Sequence, residues 1–447
     1  MKLVVNNIAR VSEANIDLDD IVVIAGQNGT GKSTISRALM TLSSVSRRIS
    51  ELVQNERIRS ILSIVRESFG KRGGDVFLPP KCIDVRKYSE LTTLLSREWW
   101  GDLAVVRDWF RREKAGDLRV YFFPDDFPDK PDCLEALSEA RGRVYEALDR
   151  KDEDYVGHVC KKAFNRAFCN QVFPVFGIDA ATEVFLGEET DWKTTKDGIY
   201  IRFHGGEVEE FSGVGRKPFP SVMYFEPVNY VDFVNGRDRG ISDRYMAGES
   251  CVCNAIARKP SGNLTIEQEA ELKEAVAVVK EIITVIHGRF VDDINQDIQF
   301  KEDFADGYHL IDVKNIASGM KTMAAIVRSI ENQSIRRGSM LIIDEPESNL
   351  HPEWQVRFAQ FLVLLSKRLS IKILVNTHSP YFLQAIRQYS KIETIRTCYY
   401  NMTSDADLDS YHTEDVSDRI DVVFQEMAAP FDDLIPDSSE TALNKRD

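Results

Sequence analysis

Four short stretches of this 447-residue chain carry residue types suited to phosphate chemistry. The first runs Gly26-Gln27-Asn28-Gly29-Thr30-Gly31-Lys32-Ser33-Thr34 and fits the pattern G-x-x-x-x-G-K-[ST]. Its glycines let the backbone curl with N–H groups pointing inward, which makes a cradle for phosphate oxygens. Gly26, Asn28, Gly29, Thr30, Gly31, Lys32, Ser33 and Thr34 are therefore the expected nucleotide-binding set. Lys32 is expected to reach the β- and γ-phosphates of ATP, and the Ser33 hydroxyl to ligate Mg²⁺. The second stretch is Asp344-Glu345. Asp344 is expected to hold the Mg²⁺ through water, and Glu345 to orient or deprotonate an attacking water. The third is His378, expected to sense the γ-phosphate. The fourth, Ser318-Gly319 in "NIASGMKTM", has no catalytic chemistry of its own and needs another explanation.

These side chains must be presented by regular elements. Residues 21–25, 340–343 and 371–376 are short apolar runs that read as buried strands. Each ends beside one of the chemical residues, at the edge where ligands gather in open α/β sheets. A helix over 32–43 is expected to aim its positive end at the phosphate cradle. After His378, Ser379 and Pro380 read as a capping hydroxyl and a first-turn proline. Ser318-Gly319 opens a further helix, "MKTMAAIVRSI". The expected fold is α/β.

Taken in order, the loop at 26–33, the Asp344-Glu345 strand, Ser348-Asn349-Leu350-His351-Pro352 and His378 resemble the P-loop, Walker B, D-loop and switch histidine of ABC-type ATPases. The resemblance implies a P-loop NTPase of the ABC-ATPase head type with a helical insertion. It also gives Ser318-Gly319 a role as the signature motif that acts in trans. Ser318 would donate to the γ-phosphate of ATP held by another subunit's loop, Gly319 would permit the close approach, and the helix N-terminus would add positive potential. A site completed by two heads implies a homodimer or higher homo-oligomer. One departure stands out: transporters carry a longer Leu-Ser-Gly-Gly-Gln-like motif, and here Ala317 precedes Ser318 and Met320 follows Gly319.

The head is expected to be split over 1–45 and 175–400, with 236–330 its helical, signature-bearing lobe. "KLVVNNIARV" and "ANIDL" read as a β-pair, "ATEVFLG" and "GIYIRFHGG" as antiparallel strands, "SVMYFEPV" as a core strand, and "FKEDFADGYHLIDV" as a hairpin. "TIEQ" is a capping-box pattern ahead of Leu272, Val276, Val279, Ile283 and Ile286, one apolar helical face. Residues 46–174 read as a mostly helical insertion containing Trp99, Trp100 and Trp109, and 401–447 as an acidic tail with a docked helix. Sustained heptads are missing, which argues against a long coiled-coil arm.

Composition narrows the partners. The net charge of -14 disfavours a general nucleic-acid binder, leaving DNA as a partner only through a local patch. Arg47, Arg48, Arg57, Arg59, Arg66, Lys71 and Arg72 form one such cluster, but interleaved Glu51, Glu56 and Glu67 make it read as a solvated helical face. Seven dispersed cysteines suit reduced thiols in a cytoplasmic setting, and Cys251-Val252-Cys253 lacks the second pair a zinc site needs. No apolar run is long enough for a membrane span. Among ABC-type chains, a transporter subunit fits poorly, because the signature is degenerate and no Q-loop is evident. A RecF- or SMC-type repair ATPase is the alternative. The chain is most similar to OLD-like stand-alone ATPases of bacterial anti-phage systems, such as those of the Septu and PARIS types. That likeness implies a separately encoded effector, a nuclease or toxin, because the stretch after His378 is too short for a Toprim domain.

Overall fold

The strands that carry the chemical residues are short, buried and apolar, and they lie side by side in the parallel part of the sheet. A computed structural model describes residues 1–70, 142–143, 146–147, 149–168, 180–188, 197–226, 252–259, 265–286, 288–293, 297–405 and 409–432. The chain divides into two compact units, Met1–Arg47 with Lys161–Asp447, and Arg48–Cys160.

The first unit opens with β1 (Lys2–Ile8), β2 (Val11–Asp17) and β3 (Ile21–Ala25), followed by helix α1 (Lys32–Gly70), which continues past this unit. Helix α2 (Asp152–Ala167) leads back into it, and β4 (Thr182–Gly187), β5 (Gly198–His204), β6 (Glu207–Ser212) and β7 (Val222–Phe225) follow. Then come α3 (Val252–Ala257), α4 (Ile266–Ile286) and the strands β8 (Gly288–Asp292), β9 (Ile298–Phe304) and β10 (Gly307–Asp312). The C-terminal part is α5 (Ser318–Glu331), β11 (Met340–Asp344), α6 (Pro352–Leu369), β12 (Lys372–Thr377), α7 (Pro380–Glu393), β13 (Thr397–Asp405), β14 (Ser410–Asp415) and α8 (Asp421–Asp432).

Among the described residues eleven strands form one sheet in the order β6-β5-β4-β1-β2-β14-β13-β3-β12-β11-β7. From β13 to β7 the pairs are parallel; from β6 to β2 they are antiparallel. All five residues of β3 and all five of β11 are buried, the signature of parallel strands covered on both faces. The covering helices contribute large side chains: Ile326, Phe358, Phe361 and Phe382 are all fully buried in the same cluster. Phe358 meets Phe382 edge-on at 6.1 Å, joining α6 to α7. Each such ring stabilises the layer by roughly 1.5–3 kcal/mol.

The expected β-pair, the β4–β5 strands, the β7 core strand and the β9–β10 hairpin are all present. Three features differ from expectation. The helix predicted over 32–43 runs on to Gly70, because no proline and no glycine interrupts residues 32–69. The predicted tail begins inside the sheet: β13 reaches Asp405, and β14 sits between β13 and β2. "SYHTED" has almost no apolar residues to announce a strand. Strand β8 pairs with β9 and was not expected either.

In the second unit, Arg57 on α1 is buried, contrary to the solvated face expected for the basic cluster. Its guanidinium donates to Ala147 O at 3.3 Å, Arg150 O at 3.0 Å and Asp152 Oδ1 at 2.5 Å. It also lies 4.7 Å from the Tyr155 ring centroid. Four partners compensate for taking this cation out of water. Arg48 and Arg59 keep to the expected pattern, paired with Glu51 and Glu56. Most of the predicted insertion lies outside the described residues, as do Trp99, Trp100, Trp109, Cys251 and the end of the tail. Among the described residues no helix is long and apolar enough to cross a membrane.

Candidate functional site

The loop between β3 and α1 is bent by its glycines. Gly26, Gly29 and Gly31 have φ of 142°, 80° and 101°, a region that residues with a Cβ rarely enter. Two are also crowded: a Cβ at Gly26 would sit 2.9 Å from Met402 Cβ, and one at Gly31 2.6 Å from Val11 Cγ2. The loop is thus seated on side chains of β13 and β2. Thr30 Oγ1 donates to Gln27 O at 2.9 Å, and Gly31 O accepts from Thr34 N at 3.0 Å and Ile35 N at 3.2 Å, which starts α1. Asn28 and Gly29 are exposed at the rim. Lys32 is buried, and its Nζ donates to Gly26 O at 2.8 Å and Gln27 O at 2.7 Å. Burial pushes its pKa down, against the opposing pull of Glu345, Glu347 and Asp344.

Strand register brings the acids to this loop. Asp344 ends β11 opposite Asn376 of β12, and Thr377 lies opposite Ala25, the last residue of β3. Asp344 is buried, with Tyr224 Oη donating to Oδ2 at 2.5 Å and Asn376 Nδ2 donating to Oδ1. Burial raises its carboxyl pKa, while hydrogen bonds from Tyr224, Ser33, Asn376 and Ser36 pull it back. Ser33 and Asp344 are therefore direct neighbours. Tyr224 is held protonated, its pKa pushed well up by burial and by the Asp344 and Glu226 charges.

Glu345 turns the chain off the strand with φ of 48°, a left-handed backbone that costs a non-glycine residue about 1–2 kcal/mol. Its N–H donates to Asn376 O at 2.8 Å, and its Oε2 accepts from Ser348 Oγ at 3.1 Å. His378 follows β12 off the sheet beside the start of the loop. Its Nδ1 lies 3.4 Å from Glu347 Oε1, and its ring is part-exposed. Ser379 caps α7, accepting from Phe382 N at 3.3 Å, with Pro380 in the first turn. The N-cap of α5 is Ala317, so Ser318 and Gly319 are its first two residues. The three atoms nearest a Cβ at Gly319 all belong to Leu350, at 2.4–2.5 Å.

The structure thus gathers the 26–34 loop, Lys32, Ser33, Asp344, Glu345 and His378 at one sheet edge. Gly319 lies against Leu350 of the 345–351 turn. The sequence reasoning missed Tyr224, Asn376 and Glu347. Asn376 could have been found as a polar residue inside an apolar strand run, and Glu347 as a third acid after Asp344-Glu345. Nothing in "VMYF" marked the tyrosine. The donor set suits a hard cation such as Mg²⁺, which takes one or two protein oxygens together with phosphate oxygens. Among the described residues, the buried Glu347 Oε2 and Asn376 Oδ1 have no hydrogen-bond partner, so the edge retains unused acceptors.

Residues 262–384 match the family model described as "AAA domain, putative AbiEii toxin, Type IV TA system". The match is well under half of the chain; it contains Ser318, Gly319, Asp344, Glu345 and His378 but not the 26–33 loop. No curated protein matches. Among solved structures, the chain is similar to the "SMC head domain from Thermotoga maritima", with 13% identity and a TM-score of 0.36, covering 93% of this chain and 98% of that one. It is also similar to an SMC head bound to the C-terminal winged-helix domain of ScpA, with 11% identity, a TM-score of 0.43, and 93% and 97% covered. A third is the SMC head with extended coiled coil bound to the C-terminal domain of ScpA derived from Pyrococcus furiosus, with 10% identity, a TM-score of 0.38, and 95% and 98% covered. Likeness of this degree supports no conclusion by itself. The sheet order and the loop geometry give an α/β fold of the P-loop NTPase kind, and the family match over residues 262–384 agrees with the features of an ATP-binding ATPase.

Proposed function

We propose that this chain binds and hydrolyses ATP with Mg²⁺, and that ATP-dependent pairing of two such heads controls a separately encoded effector, a nuclease or toxin, in anti-phage defence. The observation that carries the ATPase reading is the strand register that sets Asp344, Asn376, Thr377 and the end of β3 side by side. In this reading the loop N–H groups and Lys32 hold the β- and γ-phosphates, and Ser33 with Asp344 hold the cation. The cation, when bound, neutralises charge that develops on the transferred phosphoryl oxygens. Tyr224 and Asn376 keep the Asp344 carboxylate aimed at Ser33. Glu345, placed by its left-handed backbone, orients or deprotonates the attacking water, and His378 contacts the γ-phosphate. Ser318, at the start of α5, completes the site of a second subunit.

The effector role rests on the likeness of "DEPESNLHP" and "NTHSP" to stand-alone defence ATPases. Two variants test the proposal. Lys32→Ala should lose ATP binding in equilibrium dialysis. Glu345→Gln should bind ATP normally, lose most hydrolysis, and run as a paired species in light scattering only with ATP. Purification from the native operon should bring down a second protein, and phage protection should need both it and Lys32. Wild-type turnover by Glu345→Gln would remove the assignment of Glu345. Absence of a second protein, with tight and steeply salt-dependent DNA binding, would favour a RecF- or SMC-like repair ATPase.

A further inference from the structure

Glu347 is a second buried acid at the site, and the ATPase reading gives it no task. It is 5% exposed. Its Oε1 accepts from Thr377 Oγ1 at 2.7 Å and from the His378 backbone N–H at 2.8 Å. His378 Nδ1 lies 3.4 Å from the same oxygen. Among the described residues, its Oε2 is buried without a hydrogen-bond partner. A buried carboxylate is costly unless it is paired, and leaving one oxygen unsatisfied adds to that cost. Simple satisfaction of polar groups therefore does not explain a glutamate here. A threonine or serine at 347 would avoid the buried charge.

What distinguishes Glu347 is what it touches. All three contacts of Oε1 are to Thr377 and His378, the end of β12 and the residue that leaves it. The carboxylate fixes the backbone of His378 through the amide and faces the imidazole through Nδ1. A carboxylate beside Nδ1 accepts a hydrogen bond from an Nδ1–H and so favours the ring form with hydrogen on Nδ1. Nε2 is then left as the atom that meets phosphate or water. The turn 345–351 that carries Glu347 also carries Glu345, so one rigid turn places both.

We propose that Glu347 is a positioning residue for His378: it holds the ring orientation and keeps the proton on Nδ1, and so sets which atom His378 presents to the γ-phosphate. This inference rests on the ATPase reading for its kinetic consequence but not for its structural one. Two measurements separate them. In ¹⁵N-histidine spectra of the full chain, with His378→Gln used to assign the signal, wild-type His378 should show hydrogen on Nδ1, and Glu347→Gln or Glu347→Ala should shift the ring toward the Nε2–H form. In steady-state kinetics, Glu347→Gln should lower kcat about 10-fold or more while ATP binding stays within about 2-fold. His378→Gln alone and the Glu347→Gln/His378→Gln double variant should have rates within about 2-fold of each other, because the ring carries most of the effect of Glu347 and its pull on Lys32 is shared with Glu345 and Asp344.

An unchanged His378 signal in both Glu347 variants overturns the proposal, whatever the ATPase rate. So does a double variant whose losses multiply, which would give Glu347 a contact of its own with the nucleotide or cation. If the wild-type chain hydrolyses no ATP while the His378 signal shifts as stated, the ATPase reading fails and the positioning role stands.

Discussion

Gly319 offers the most direct test of how the start of α5 is held. It is a helical residue with no unusual backbone angle, so its need for glycine is a need for space. A Cβ there would lie 2.4 Å from Leu350 Cδ2, 2.5 Å from Cδ1 and 2.5 Å from Cγ. Separations under 3 Å force the neighbour to move. Leu350 has little room to do so by its backbone: its N–H donates to Glu347 O at 3.0 Å, and its carbonyl accepts from Gln355 Nε2 at 3.0 Å. Overpacking of this kind costs about 1–3 kcal/mol. Alanine recovers at most about 1 kcal/mol of helix propensity over glycine, and less in a first turn. The Gly319→Ala variant should therefore be less stable by about 1–2 kcal/mol in urea unfolding, with an unchanged m-value. In a Leu350→Ala background, the same change should be neutral or stabilising, a coupling of about 1–3 kcal/mol between the two positions. Equal costs in both backgrounds, or none in either, would refute the packing argument.

Two more outcomes follow from the geometry. Ser318→Arg should leave ATP binding intact and block hydrolysis, and mixing it with Lys32→Ala subunits should restore some activity, since one mixed interface pairs an intact loop with an intact Ser318; no rescue at any ratio, with subunit exchange demonstrated, removes the composite site. Cys398 has its pKa raised to about 11 by burial and by the charges of Asp19, Asp415 and Asp17. The reactive thiolate is thus depleted at neutral pH, and alkylation followed by peptide mass spectrometry should be about 300-fold slower than for an ordinary thiol near pH 7, rising toward pH 11; a rate like that of free cysteine would contradict this.

The parts of the fold that could be read from the sequence are those where burial is continuous. β3 and β11 are apolar at nearly every position, and the loop and acids follow them directly. What could not be read is what depends on neighbours far along the chain. Tyr224 looks like any strand aromatic until β7 is known to pair with β11 in the register Ile342↔Tyr224. β14 carries few apolar residues because its place in the sheet comes from backbone pairing with β13 and β2. Arg57 sat in a charged run in which Arg48 and Arg59 pair with nearby glutamates, and only the Ala147–Tyr155 segment explains its burial. Glu347 was visible as a third acid after Asp344-Glu345, but an acid three residues after a strand end normally reads as solvated turn, and only the register of β11 on β12 shows what it touches.

Gly319 and Glu347 belong to one piece of mechanics, which the proposed pairing of heads would use. The turn 345–351 has two left-handed residues, Glu345 at φ 48° and Asn349 at φ 59°, and is closed by Ser348 N to Glu345 O at 3.0 Å and Leu350 N to Glu347 O at 3.0 Å. Its far end presses Leu350 onto Gly319; its near end holds His378 through Glu347. A push on the start of α5 from a second subunit meets Leu350 first, and the turn's internal hydrogen bonds give that displacement no soft residue to absorb it before Glu347. Packed elements transmit small shifts instead of dissipating them. The Gly319→Ala variant is then more than a stability probe: by displacing Leu350 without any partner, it should disturb the His378 ring signal in the same direction as Glu347→Ala, whereas Gly319→Ala combined with Leu350→Ala should restore it.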